Sequence, residues 1–160
     1  MEITLLPGCE HPAEIGALFN EYTEMLAAGD PTFRAYLAVQ HYDRELAHLE
    51  EKYGGDGARL WLLTCDGAPA GCIGLRQMDG ACCEMKRLYV RPAYRGLHLG
   101  RMLAERIIAD ARAIGYRTMR LDTLPFLREA IDLYRKLGFY EIPCYNDSPM
   151  QQALYLELKL

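Results

Sequence analysis

Two Asp-Gly pairs, Asp66-Gly67 and Asp79-Gly80, cut the middle of the chain into three extended, largely apolar runs over residues 59–65, 68–78 and 81–90. Asp-Gly between apolar runs marks a tight hairpin, because glycine tolerates the positive φ that such turns require. Two successive hairpins leave few choices. The centre of the chain must be an antiparallel meander, and its apolar faces must be covered by whatever flanks it.

The flanks read as helices and further strands. After Pro92 the pattern takes a helical period, with Leu99, Leu103, Ile107, Ala111 and Ile114 on one face and Arg101, Glu105 and Arg112 off it. Gly115 suits a C-terminal cap. Residues 117–123 read as a strand, 127–137 as a helix stopped by Gly138, and 139–142 and 153–158 as the last two strands. Before the meander, residues 2–6 read as a strand and 11–28 as a helix, with Ile15, Leu18, Phe19, Tyr22 and Leu26 on one stripe. Gly29-Asp30-Pro31 interrupts it, and a second helical stretch over 32–52, with a break left open within it, runs to Gly54-Gly55-Asp56-Gly57. This order predicts an α+β fold, a mixed, mostly antiparallel central sheet with helices on both faces. No repeat or linker divides the chain, and its 160 residues fit one compact domain over 1–160.

Composition excludes several function classes. The net charge is −4, which lacks the basic footprint of sequence-independent nucleic-acid binding. No apolar run is long enough to span a bilayer, so no membrane partner is expected. The opening MEITLLPGCEHPAE lacks the basic and apolar regions of a signal peptide, so a cytoplasmic protein is expected. Six cysteines show no CxxC spacing and no nearby histidine. They read as reduced thiols rather than a metal site, and adjacent Cys82 and Cys83 point to opposite faces of a strand.

The segment richest in chemistry is EMKRLYVRPAYRGLHLG, Glu84 to Gly100. A strand runs into an Arg- and Gly-containing turn and then into a helix. That geometry aims free N–H groups and the positive end of a helix dipole at one point, which suits a phosphate or pyrophosphate. Arg95 and Arg101 could add charge-assisted bonds. The segment lacks a GKS or GKT ending and the GxGxxG pattern, so neither a Walker loop nor a Rossmann site is implied. Alone, it is equally a turn whose glycines serve only the backbone. The second segment is REAIDLYRKLGF, Arg128 to Phe139, with Ala130, Leu133, Tyr134 and Leu137 on one helical face. Alone, a tyrosine there reads as core.

Together, in this order, the two segments resemble the GNAT acyltransferase superfamily. Its phosphate loop, Arg or Gln followed by spaced glycines, is matched by Arg95, Gly96, Leu97, His98, Leu99, Gly100. Its Tyr four residues before Gly-Phe is matched by Tyr134, Gly138 and Phe139. His98 departs from the pattern, standing where the family usually has Gly. With negative φ it still supplies its N–H; with positive φ the loop is strained.

The resemblance implies a GNAT fold and an N-acetyltransferase moving acetyl from acetyl-CoA (coenzyme A, with no metal) to a primary amine, expected to be that of a small molecule, in a ternary complex. It places pantetheine along Leu88, Tyr89 and Val90, and pyrophosphate on the turn from Arg95 to Arg101. Glu84 takes the place of the general base and Tyr134 that of the general acid. Glu21, Tyr22, Glu24, Phe33, Tyr36 and Tyr145 are acceptor-site candidates by location, and the turn 145–149 could rim the site. Homodimer formation is compatible with the apolar C-terminal strand. A non-catalytic acyl-CoA-binding or sensing module and a peptide or protein N-acetyltransferase stay open as alternatives.

Overall fold

Alternation along strand β2 (Arg59–Cys65) sorts the protein into layers. Leu63 and Cys65 join one apolar cluster, while Leu60 and Leu62 join another on the opposite face. The computed structural model describes residues 1–160. Strand β1 (Ile3–Pro7) precedes helix α1 (Pro12–Gly29), and short helices α2 (Phe33–Val39), α3 (Tyr42–Ala47) and α4 (Leu49–Tyr53) lead into β2. Strands β3 (Ala68–Asp79) and β4 (Cys82–Val90) complete the meander. Helix α5 (Leu99–Ile114), strand β5 (Thr118–Thr123), helix α6 (Arg128–Lys136) and strands β6 (Tyr140–Ile142) and β7 (Leu154–Lys159) follow.

The strands form one sheet in the order β1-β2-β3-β4-β5-β7-β6. Every neighbouring pair is antiparallel except β4 and β5. Helix α5 covers one face through Leu99, Leu103, Ile107 and Ala111, packed with Ile73, Leu75 and Met119. Helix α1 covers the other through Ile15, Leu18 and Phe19, with Leu49 and Tyr53 of α4 beside it. Each such side chain, fully buried, contributes about 1.5–3 kcal/mol of transfer free energy. No helix is long and apolar enough to cross a membrane.

The first hairpin forms as its Asp-Gly pair predicts. Asp66 and Gly67 have φ of 49° and 81°, both positive, and Cys65 pairs with Ala68 directly across the turn. The break left open in the stretch 32–52 is present: the chain leaves the helix at His41, whose φ of 55° is left-handed, and again at His48, whose φ is −139°. A right-handed helix cannot pass through a left-handed residue such as His41.

Gly71 of β3 stands opposite Val90, and a Cβ there would meet the carbonyl oxygen of Tyr89 at 2.7 Å. That neighbour is backbone and cannot swing aside. Gly55 has open space around it. Gly71→Ala will cost about 1–3 kcal/mol as overpacking does, and Gly55→Ala will stay within about 0.5 kcal/mol. Urea denaturation of the two variants beside the parent checks both values.

Candidate active site

Strands β4 and β5 pair over only three residues each, Cys82–Glu84 against Thr118–Arg120. Beyond Glu84 they part, and the edge of β4 that faced β5 has no strand partner. A bulge lies at the parting: β3 advances from Gly74 to Cys72 while β4 advances from Lys86 to Tyr89, one residue more. The extra residue brings in Arg87, which has a φ of 59°. Its guanidinium is buried and donates to both oxygens of Glu45, at 2.9 and 3.1 Å, and to Gln40 at 2.9 Å. It also lies 5.3 Å from the Tyr42 ring centre and 5.9 Å from that of Phe19. Burial alone would raise the Glu45 pKa, but Arg87 and Lys52 outweigh it and hold the carboxyl down to about 2.

The unpaired edge offers peptide groups to the cleft. The Arg91 N–H donates to Ala70 O at 2.8 Å, toward β3. Peptide groups alternate along a strand, so those of Leu88 and Val90 face the cleft and that of Tyr89 faces β3. At the end of the strand, Gly96 and His98 have φ of 83° and 59°. The six consecutive N–H groups from Gly96 to Arg101 donate to nothing in the chain. They sit at the N-terminus of α5, whose dipole is positive at that end, so the turn is a concave anion site.

A narrow cavity opens between the parted strands, walled on one side by Lys86 and Leu88 and on the other by Asp122 and Leu124. Tyr134 reaches it from α6, buried, its hydroxyl bonded to no protein group; burial pushes its pKa well up, so the phenol keeps its proton. Asp122 accepts hydrogen bonds on Oδ2 from the Tyr36 hydroxyl and from Asn146 Nδ2 (3.0 Å), while Oδ1 accepts none. Asn146 is fixed in turn by the Tyr155 hydroxyl and the Ser148 N–H, both at 3.1 Å. The Lys86 ammonium makes no hydrogen bond in the chain. Its nearest anion is Glu84 Oε1 at 3.6 Å, and burial pushes its pKa down to about 8.

The chain matches the Acetyltransferase (GNAT) family over residues 19–139. It belongs to the GNAT acetyltransferase family. An uncharacterised N-acetyltransferase of Schizosaccharomyces pombe is 40% identical over 126 residues, 78% of this chain and 77% of that protein. An acetyltransferase of Streptococcus agalactiae superposes with a TM-score of 0.79 at 22% identity, over 99% of this chain and 98% of its own. The PaiA N-acetyltransferase of Thermoplasma acidophilum, solved with coenzyme A, superposes with a TM-score of 0.75 at 16% identity over the full length of both. At these identities the two structures speak for the fold.

Within the GNAT frame, the expected residues fall into three groups. Leu88, the Val90 N–H and the run from Gly96 to Arg101 line the cleft with free backbone groups. Arg95 lies alongside, its Nε on Val90 O at 3.2 Å, and the Arg101 side chain turns to Glu105 at 2.8 Å. Tyr89 stands apart: its backbone faces β3 and its hydroxyl donates to Glu21. His98 adopts positive φ, the strained alternative. Glu84 lies at the apex of the cleft, buried and outside the cavity wall. It accepts from Arg76 Nε at 2.7 Å and from the Tyr145 hydroxyl at 2.6 Å. Burial would raise its pKa, but Lys86, Arg76 and Tyr145 together bring it below the ordinary value. Of the acceptor-site candidates, Tyr22, Phe33 and Tyr36 line the cavity, whereas Glu21 pairs with Arg91 and Glu24 with Arg34 at the surface. Sequence reasoning missed Asp122, the Asn146 that holds it and the Arg87–Glu45 pair, because their partners lie far apart in the chain.

Two outcomes follow from the strained and buried residues. His98→Gly will raise stability by about 0.5–1 kcal/mol, the left-handed cost relieved less the entropy that glycine adds to the unfolded chain. His98→Val will lower it, and thermal denaturation reads both. Glu45 has a folded pKa of about 2 against an ordinary 4.5, so its ionised form stabilises the protein above pH 4.5 and that share is lost as pH falls toward 2. Glu45→Gln will be less stable at neutral pH, with Arg87 left unpaired. The gap to the parent will narrow between pH 4.5 and 2 in urea titrations across pH.

Proposed function

We propose that this GNAT protein moves an acetyl group from acetyl-CoA to the primary amine of a small molecule, by direct attack with both bound at once. The observation that carries the reading is the pair of partnerless polar atoms in one cavity, Tyr134 Oη and Asp122 Oδ1, at the point where β4 leaves β5.

The residues present fit coenzyme A. Six free N–H groups at a helix N-terminus suit a pyrophosphate, and the exposed peptide groups of Leu88 and Val90 suit an amide-containing arm lying as a strand would. The relative solved with coenzyme A shares this fold. Acetyl-CoA supplies an activated thioester carbonyl and a thiolate leaving group.

The rest is the work of this chain. The cleft-facing N–H groups of β4 orient the donor and stabilise developing negative charge on its carbonyl oxygen. Tyr134 holds a proton at Oη for the departing sulfur. An ammonium cannot attack, so a base must first remove a proton. Glu84 is held ionised by two cations and a phenol, and its oxygens are spoken for, so it has little to gain by taking a proton. Asp122 Oδ1 is free and faces the cavity. The base role therefore passes from Glu84 to Asp122, with Tyr36 and Asn146 fixing the carboxylate through its other oxygen.

Steady-state kinetics with a free-thiol assay test the assignment. Tyr134→Phe will lower kcat about 100-fold or more, as loss of a general acid does, with the KM for acetyl-CoA changed less than about threefold. Asp122→Asn will lower kcat/KM for the amine on the order of 100-fold or more, and its residual rate will climb with pH as more amine becomes neutral. Glu84→Gln will lose less than Asp122→Asn. Full activity in Tyr134→Phe removes the acid role from Tyr134, and a greater loss in Glu84→Gln than in Asp122→Asn returns the base role to Glu84.

A further inference from the structure

The cavity carries two opposite charges that do not neutralise each other. Lys86 stands on the β4 wall and Asp122 on the β5 wall, and no salt bridge joins them. The third charged residue of the wall, Arg87, is consumed by Glu45 and Gln40. Lys86 is more than nine-tenths buried, and its ammonium has a single anion in reach, at 3.6 Å, already occupied by Arg76 at 2.7 Å. The Lys86 ammonium is not sealed from the cavity, so a carboxylate bound there supplies the hydrogen bonds that the chain does not. Asp122 keeps one oxygen open. The remainder of the wall is mostly apolar: Leu26, Phe33, Leu124, Leu127 and Met150.

We propose that the acceptor is a hydrophobic α-amino acid, its ammonium met by Asp122, its carboxylate by Lys86 and its side chain by the apolar wall. This rests on the acetyl-transfer reading above and adds the substrate class. A plain amine would satisfy Asp122 and leave Lys86 without a partner. A compact zwitterion satisfies both, because its two charges are fixed a few ångströms apart on one carbon. Lys86, at a pKa of about 8, is still mostly charged at neutral pH. The reaction consumes the ammonium and leaves the carboxylate untouched. Asp122 takes one proton of the ammonium, the neutral nitrogen forms the new C–N bond as the C–S bond breaks with its electron pair going to sulfur, the sulfur takes the proton of Tyr134, and the second proton lost by the nitrogen restores the Tyr134 phenol. The product is an N-acetyl amino acid and free coenzyme A. With its positive charge gone, the product keeps its contact with Lys86 and loses its attraction to Asp122, which favours release.

The test compares matched pairs that differ only in the carboxylate: phenylalanine with phenethylamine, leucine with isoamylamine, and methionine with its decarboxylated amine. The expected result is thiol release with the amino acids at a kcat/KM at least about 100-fold above their amines, since a site built to bond a polar group rejects the analogue lacking it. Lys86→Met, similar in length and apolar, will lower kcat/KM for the amino acids and reduce that preference to a few-fold. Its melting temperature and its KM for acetyl-CoA separate this effect from misfolding. Release with the amines as fast as with the acids overturns the proposal and leaves the acetyl-transfer reading standing. So does a Lys86→Met variant that folds, binds acetyl-CoA and keeps the full preference. No release with either series overturns both.

Discussion

Strand β4 must leave its parallel neighbour after three residue pairs, and the buried Arg87–Glu45 pair holds it in the departing path. The bulge at this point puts an arginine in left-handed backbone, which costs roughly 1–2 kcal/mol for a residue with a Cβ. Glycine would avoid that cost. Arginine is used, and its side chain makes three hydrogen bonds and lies near two aromatic rings. A buried ion pair is seldom a net source of stability, because desolvation cancels much of its attraction. What this one supplies is position. It ties the bulge to α3, and Tyr53 and Lys52 of α4 complete the bonding of Glu45. The short helices that look least regular are thus fastened to the centre of the cleft.

The cleft divides its work between backbone and side chains. On the reading proposed above, its donor end is built from peptide groups: the free edge of β4 and the six N–H groups of the turn. A peptide group binds a phosphate or an amide whatever its side chain is, which is why His98 can stand where a glycine is usual. The cost is strain, not loss of the donor. The acceptor end is built from side chains drawn from distant places. Tyr36 comes from α2, Lys86 from β4, Asp122 from β5, Tyr134 from α6 and Asn146 from the turn before β7. Such an end can change its substrate by substitution without disturbing the donor end.

This division also explains what could be read from the sequence. The meander was legible because Asp-Gly is a local instruction, and the φ of 49° at Asp66 and 81° at Gly67 show it obeyed. Helix α5 was legible because its apolar period is complete from Leu99 to Ile114. The turn before helix α5 and the place of Tyr134 on helix α6 were legible because their spacing is local too. That the stretch 32–52 can break was legible, but the place of the break at His41 was not, since no glycine or proline marks it. Asp122 was illegible for a different reason. A carboxylate on a strand reads as a solvated residue. It becomes a site only through Tyr36, 86 residues before it, and Asn146, 24 residues after it.

Glu84 shows how much of a residue's state lies outside its spacing. Its spacing to the turn matches the place of a general base, and the structure sets it at the apex of the cleft. Cross-strand pairing then sets Arg76 directly opposite, two residues along the strand sets Lys86 on the same face, and Tyr145 closes the remaining oxygen. A carboxylate so bonded is stabilised in its ionised form. Its field acts on Lys86, opposing the burial that would otherwise strip the ammonium of its proton. Glu84 and Asp122 together favour the charged form of Lys86 against its burial. On the reading proposed above, Glu84 thus serves the acceptor end indirectly: it keeps a cation available where a carboxylate can reach it and leaves the free oxygen of Asp122 to handle the proton.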